Sequence, residues 1–304
     1  MTDTTPDIEL PVEEFHEALF EWFDEHHRSF PWRESDDPWE ILVLEVMSQQ
    51  TQLERVTEAW EAFIDRWPDP TSLARDPPGD VISFWSEHRL GYNRRASFLH
   101  EAATQLVETY DGAVPADVDA LQRLKGIGPY TANAVASFAF DRGGPVIDTN
   151  VKRVLYRLLD IPDEDAAYEG ATDALAHTSR IGRWNASIME LGGVACSKQP
   201  ACDEAACPLR RWCRAYRTGD FTAPDVPTQP PYKGSRRELR GKVLRVLNGD
   251  DSVTLDDLGH RLRVDYDPDG RYDRSWLRTL LEEMADDGLV TITDGPPVRV
   301  DLGR

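Results

Sequence analysis

An all-α protein with a small winged-helix-like domain at its C-terminal end is predicted by three features of the 304-residue sequence. Apolar residues recur at helical spacing through most of residues 15–191, punctuated by proline and glycine turns. Strand-like runs are confined to 289–293 and 298–302, a hairpin pattern around 294–297. The length and a hydrophobic content of 40% suffice for two or three packed domains, and no internal repeat is evident.

The elements follow in order. Residues before Glu13 are acidic and proline-containing and read as a frayed arm. Phe15, Leu19, Trp22 and Phe23 mark the apolar face of a helix, which FPWR at 30–33 interrupts, with Trp32 expected to pack. Helical spacing resumes from Trp39 to Val56 through Leu42, Val43, Val46 and Leu53. On that helix Glu45, Gln49 and Gln52 stand four and three residues apart and so share a face. Such a face is a solvated edge, or it borders a pocket where Glu45 donates a proton and the amides read base edges. Prolines 68, 70, 77 and 78 divide 57–111 into short helices. In HRLGYNRRASFLHEAA, Tyr92 sits on a flexible turn where it can wedge into a base stack, and Arg94 and Arg95 open a helix where they can meet phosphates. A packed tyrosine and two solvated arginines are the alternative. A helix over 96–107, the turn at 112–115 and a short helix ending near Leu124 complete this part.

The stretch LKGIGPYTANAVASFAFDRGGPVIDTNVKRVLYRLL organises the chain. Gly126 and Gly128 allow a tight turn with close backbone approach, Thr131 can begin the following helix, and the amides at such a turn receive a phosphate oxygen without a side-chain charge. By itself the motif is equally an ordinary helix–helix corner. Residues 130–140 are small and apolar and predict a buried helix; the turn at 143–145 stops it and puts Asp148 at the head of the next. That helix carries a stripe of Val151, Val154, Leu155 and Leu158, with Lys152 and Arg153 expected to face outward. Asp148 can cap the helix and still act chemically, because the helix N-terminus favours its charged form. Further helices fill 163–191, with Met189 and Leu191 expected in the core.

The four cysteines, Cys196, Cys202, Cys207 and Cys213, all lie in one short segment, which predicts a compact four-thiolate site and leaves iron–sulfur and zinc both open. A linker with four prolines spans 221–232. Helices over 236–247, 255–262 and 276–286 and the terminal hairpin then make the winged-helix-like domain. Its basic run, Lys233, Arg236, Arg237, Arg240, Lys242 and Arg245, can contact DNA or form a solvated face. A formal net charge of −21 opposes DNA association unless basic groups are localised or salt screens the acids, which suggests a high-salt cytoplasm, or else an acidic surface that serves solubility alone. With no leading signal peptide and no apolar run of membrane-spanning length, a cytoplasmic protein with no membrane partner is expected.

Together, FPWR, EVMSQQTQ, LGYNRRA, LKGIGPYTA, VIDTNVKRVLYR and the four terminal cysteines resemble the helix-hairpin-helix DNA glycosylase superfamily, and within it the MutY-type adenine glycosylases. The resemblance covers most of 15–215 and implies a two-lobed helical core with DNA bent across its groove. Its implied divisions are an N-terminal segment (1–30) joining the cluster lobe, a helical-barrel lobe (31–144), a cluster lobe (145–220), the linker (221–232) and the C-terminal domain (233–304). By the same resemblance Glu45 protonates the departing adenine and Asp148 stabilises the sugar cation, or forms a transient adduct with it, on a flipped nucleotide. Asn150 orients Asp148 or its water. Tyr130 stands where related lyases carry an amine nucleophile, so base hydrolysis without efficient β-elimination is implied. Gln49 lines the adenine pocket, Gln50 and Thr51 contact the opposing strand, and Leu90 and Tyr92 insert into the groove or stack. The cysteines would hold a [4Fe-4S] cluster, although their spacing of five, four and five residues departs from the family's, with Arg210, Arg211 and Arg214 near the DNA backbone.

The implied partner is double-stranded DNA containing adenine opposite 8-oxoguanine or guanine, bound by a monomer, with abasic-site repair enzymes acting downstream. Ser48, Asn93 and a C-terminal tail unlike the Nudix-like domain usual in the family depart from the pattern. They leave two alternatives: a glycosylase for thymine or another mismatched base, and a DNA-damage binding protein without catalysis.

Overall fold

The computed structural model describes residues 10–226, 230–250, 252–262 and 273–303. The acidic arm through residue 9 and linker residues 227–229 lie outside the described residues. In chain order the α-helices are α1 (Val12–His26), α2 (Pro38–Ser48), α3 (Leu53–Arg66), α4 (Pro70–Arg75), α5 (Pro78–Glu87), α6 (Arg94–Tyr110), α7 (Val118–Gln122) and α8 (Pro129–Phe140). They continue with α9 (Thr149–Leu159), α10 (Asp165–Leu175), α11 (Ile181–Val194), α12 (Arg214–Thr218), α13 (Arg236–Leu247), α14 (Leu255–Arg261) and α15 (Arg274–Asp286). Among the described helices none is long and apolar enough to cross a membrane.

The chain forms two compact units. One comprises Met1–Ile41, Pro115–Gln122 and Ile127–Thr228; the other comprises Leu42–Val114, Arg123–Gly126 and Gln229–Arg304.

In the first unit the apolar face of α1 (Phe15, Leu19, Trp22) meets the predicted stripe of α9 and residues Trp184, Ile188 and Leu191 of α11 in one core. Phe15, Leu155 and Trp184 are fully buried, each side chain contributing about 2 kcal/mol or more. The core extends to the cysteine segment, where the Trp22 indole donates to the Ala205 carbonyl at 2.8 Å. FPWR is tied to α11 by an ion pair of Arg33, beside which Arg28 makes another. Glu190, 3% exposed, accepts from Arg28 Nε at 2.7 Å and from Arg33 at 2.6 Å. Burial opposes ionisation of Glu190, yet these donors hold its pKa below the usual carboxylate value. Trp32 stacks on Phe30 with ring centroids 4.7 Å apart.

The second unit corrects the long helix expected from Trp39 to Val56. The chain leaves α2 at Ser48, passes Gln50 in a left-handed conformation (φ 54°), and restarts α3 after Gln52. Apolar spacing runs unbroken across this turn because both helices pack the same core: Leu42, Val43 and Met47 of α2 and Val56 and Phe63 of α3 are fully buried. Periodicity reports burial and does not register a local reversal that preserves it.

Within 236–302 the described residues form the predicted helices and hairpin, joined by a short strand that sequence patterning missed. Strands β1 (Val253–Thr254), β2 (Val290–Thr293) and β3 (Arg299–Leu302) make an antiparallel sheet ordered β1-β3-β2, with Val290 opposite Leu302 and Val253 opposite Val300. The order α13-β1-α14-α15-β2-β3 is that of a winged helix. Within the same unit α13 and β3 pack on α5. The basic run of α13 is neither bare nor simply solvated: Arg236 pairs with Glu283, Arg240 with Asp287, and Lys242 with Glu238.

Candidate active site

Asp148 is the N-cap of α9. Its Oδ1 accepts from the amides of Asn150 and Val151, both at 2.8 Å, and its Oδ2 accepts from Asn150 Nδ2 at 2.8 Å. Three donors thus fix one half-buried carboxyl group at a helix start, as the sequence predicts for a cap. Burial raises its pKa above the ordinary aspartate value, opposed by these hydrogen bonds and by the nearby Arg153 charge.

Two features around Asp148 were not legible in the sequence. Arg153 turns inward rather than outward: its guanidinium donates to Asn150 Oδ1 (2.7 Å), to Gly192 O (2.7 Å) in the last turn of α11 and to Cys196 O (2.6 Å) just beyond it. Asn185 of α11, completely buried, accepts from Val146 N at 2.9 Å and donates to Gly144 O at 3.2 Å, pinning the turn that delivers Asp148. Gly192 permits α11 to approach α9 closely, since a Cβ there would lie 2.6 Å from Asn150 Cβ. A buried asparagine reveals its role only through the loop it holds.

Glu45 lies in the last turn of α2 and is buried at 7% exposure. It belongs to the second unit and Asp148 to the first. The expected face of Glu45, Gln49 and Gln52 does not form as one helical stripe, because α2 ends at Ser48 and Gln52 caps α3. Gln49, Gln50 and Thr51 occupy the intervening turn. Arg95 holds that turn. Only 8% exposed, it donates to the carbonyls of Val46 (2.7 Å), Met47 (3.0 Å), Gln49 (2.7 Å), Leu90 (3.0 Å) and Gly91 (3.1 Å), and to Thr51 Oγ1 (3.1 Å). Burial lowers its pKa to about 10. The phosphate contact expected of Arg95 is therefore corrected: its two terminal nitrogens serve as an internal clip for the end of α2.

The 89–94 turn presents its other residues differently. Leu90 is 2% exposed, so its side chain is a core residue rather than a groove insertion. Tyr92, with φ 45°, is 39% exposed, and Arg94 forms an exposed ion pair with Asp287.

At the glycine-rich turn Gly126 adopts φ 76°, and a Cβ there would come within 2.7 Å of Phe98, so both its conformation and its space require glycine. Gly128 is the N-cap of α8, Pro129 occupies the first turn, and Tyr130 is 38% exposed. Thr131, expected to start the helix, lies inside its first turn and is 3% exposed. Proline suits a first-turn position because no intrahelical bond is required there.

All four cysteines line one cavity, beside Arg157 and Phe221. Burial raises the pKa of Cys202 and Cys213 and pushes Cys207 up to about 12, the neighbouring thiols adding to it. Arg157, 3% exposed, clips this segment by donating to Ser197 O (2.7 Å), Phe221 O (2.8 Å) and Cys196 Sγ (3.5 Å). Among the described residues no three His, Cys, Asp or Glu groups converge on a single-ion site. Arg210, Arg211 and Arg214 pair with Asp203, Glu14 and Asp160 in exposed contacts that solvent screens.

The HhH-GPD superfamily base excision DNA repair protein profile matches residues 43–175. The chain is 41% identical over 243 residues to a Mycolicibacterium smegmatis protein named adenine DNA glycosylase, covering 78% of this chain and 80% of that one. Among solved structures, a thermostable thymine-DNA glycosylase superposes with TM-score 0.61 at 25% identity, covering 68% of this chain and 97% of that one. A trapped endonuclease III–DNA covalent intermediate superposes with TM-score 0.56 at 25% identity, covering 69% and 99%.

Proposed function

The chain belongs to the adenine DNA glycosylases of the HhH-GPD superfamily, and from that premise we propose that it removes adenine mispaired with 8-oxoguanine or guanine from double-stranded DNA, acting as a monomer. It is a DNA glycosylase of base excision repair. The finer reading rests above all on Asp148, whose carboxyl group is held by three donors while α9 supplies the favourable end of its dipole.

In the proposed reaction the adenine nucleotide is flipped out of the stack, since neither acid reaches it inside an intact duplex. Glu45, in its acid form, gives its proton to a ring nitrogen of the base. The glycosidic bond breaks with its electron pair leaving on adenine, which departs neutral. The cationic sugar carbon is stabilised by the Asp148 carboxylate, directly or through a transient adduct, until water adds there and loses a proton. The product is an abasic site for downstream repair enzymes. Tyr130 has no amine to attack the sugar, so strand cleavage by β-elimination is inefficient. Gln49 lines the adenine pocket, Gln50 and Thr51 face the opposing strand, Tyr92 and Arg94 meet the stack and backbone, and the turn carrying Gly126 and Gly128 receives a phosphate at the head of α8.

Cys196, Cys202, Cys207 and Cys213 would hold a [4Fe-4S] cluster. All four thiols line one cavity, and four thiolates are the donor set such a cluster takes. Such a group bound to four thiolates supplies a cross-link for the 196–213 segment, and the two carboxyl groups account for hydrolysis without an electron transfer. Anaerobically prepared protein should contain iron and sulfide; zinc in their place would refute the assignment.

The function is tested by strand-resolved product analysis on duplexes with adenine opposite 8-oxoguanine, guanine or thymine, and thymine opposite guanine. Adenine release leaving an intact abasic strand is expected from the first two. Thymine release without adenine release would transfer the chain's substrate to the thymine class.

A further inference from the structure

The C-terminal domain reaches the residues at the tip of the 89–94 turn. Arg237 of α13 donates from one terminal nitrogen to Tyr92 Oη at 2.8 Å and from the other to Pro230 O at 2.6 Å. Its guanidinium carbon stands 5.8 Å from the Tyr92 ring centroid, within cation–π range, and that of Arg95 stands 5.7 Å from the same centroid. Asp287, just after α15, accepts the ion pair of Arg94 at 3.1 Å while also engaging Arg240. Ser97, one helical turn into α6, donates to Gly288 O at 3.4 Å. The tail thus meets the turn through Tyr92, Arg94 and Ser97.

The backbone of the turn is held, with Gly91 O accepting from Trp85 Nε1 at 2.9 Å and from Arg95 at 3.1 Å, while the Tyr92 side chain projects beyond those clips. Gly91 and Tyr92 are consecutive residues with positive φ (71° and 45°), and a Cβ on Gly91 would touch nothing within 4 Å. A tyrosine projecting from such a turn loses rotamer freedom when it enters a base stack, and a partner that already fixes its hydroxyl reduces that loss. The geometry points to Arg237 as a positioning residue: it holds Tyr92 in the pose from which the ring meets the DNA stack, and through it the C-terminal domain sets how sharply the enzyme distinguishes the base opposite its target. This rests on the reading of Tyr92 as a DNA contact given above. It assigns the tail a role exerted through the 89–94 turn, with its basic helix bracing the protein instead of tracking phosphates.

The test is single-turnover adenine excision opposite 8-oxoguanine and opposite guanine, using the full chain. Arg237→Ala should lower the ratio of the two rates roughly 3- to 10-fold, the worth of one hydrogen bond, while the faster rate stays within about 2-fold. Tyr92→Phe, which keeps the ring and removes the hydroxyl, should lower the ratio by a similar factor. The double variant should be no worse than either single one, since both delete one interaction. Arg237→Lys, which can still donate, should recover part of the ratio. Additive effects in the double variant would overturn the proposal. An unchanged ratio in Arg237→Ala beside a changed one in Tyr92→Ala would overturn it alone, and unchanged ratios in both would overturn the reading of Tyr92 with it. Thermal melting checks the fold of each variant, and Tyr92→Phe and Arg237→Lys carry the comparison if Arg237→Ala does not fold.

Discussion

Asp148 combines the roles of helix cap and proposed catalytic carboxylate, and the same hydrogen bonds serve both. Donors to the ionised form lower a carboxyl pKa, and burial raises it; here burial prevails. A raised pKa means the group keeps its proton to higher pH, so excision that needs the carboxylate should fail on acidification at a pH above the usual aspartate range of about 4. Asn150→Ala removes one donor to the charged form and should move that acid limb of the single-turnover pH profile further upward; movement downward would contradict the assignment. The family resemblance supplied the catalytic role of Asp148, whereas its cap role was legible in the sequence as a lone acid between a Gly–Gly–Pro turn and an apolar stripe. Arg153 and Asn185 were not, since their partners are backbone carbonyls and amides brought near by tertiary packing, which no spacing along the chain encodes.

At the scale of elements, the end of α2 depends on a side chain from α6. The carbonyls of Val46, Met47 and Gln49 would be left with no donor from Arg95 if it were removed, and a buried unsatisfied acceptor costs more than an ordinary hydrogen bond contributes. Arg95 itself is expensive to bury as a cation, which its lowered pKa records, so the net effect is smaller than the sum of its contacts. Arg95→Met should still destabilise the protein by at least about 2 kcal/mol in denaturant unfolding and should slow excision, because Gln49, Gln50 and Thr51 lose their anchor. Stability within about 0.5 kcal/mol of the parent would show that the clip is dispensable. The helices themselves were readable from periodicity and from the prolines and glycines between them. The interruption between α2 and α3 was hidden because an amphipathic pattern continues through any turn that returns the chain to the same core.

Across the whole molecule, the family resemblance carried the fold and the DNA glycosylase function, and the winged-helix elements were readable from their own pattern. The net charge of −21 was the least informative feature: it identified neither a site nor a salt environment, because a sum over the chain does not say where its charges lie. For the basic helix of the tail, charge composition likewise does not say which charges already have partners, as Arg236, Arg240 and Lys242 do. What holds the account together is a division of labour between two acids, one to protonate the base and one to support the sugar. Single-turnover excision of adenine opposite 8-oxoguanine by Glu45→Gln and Asp148→Asn tests it most directly. Both variants should bind the duplex with nearly parental affinity and lose at least about 100-fold in rate, the usual worth of a positioned acid or base; parental rates in both would contradict it.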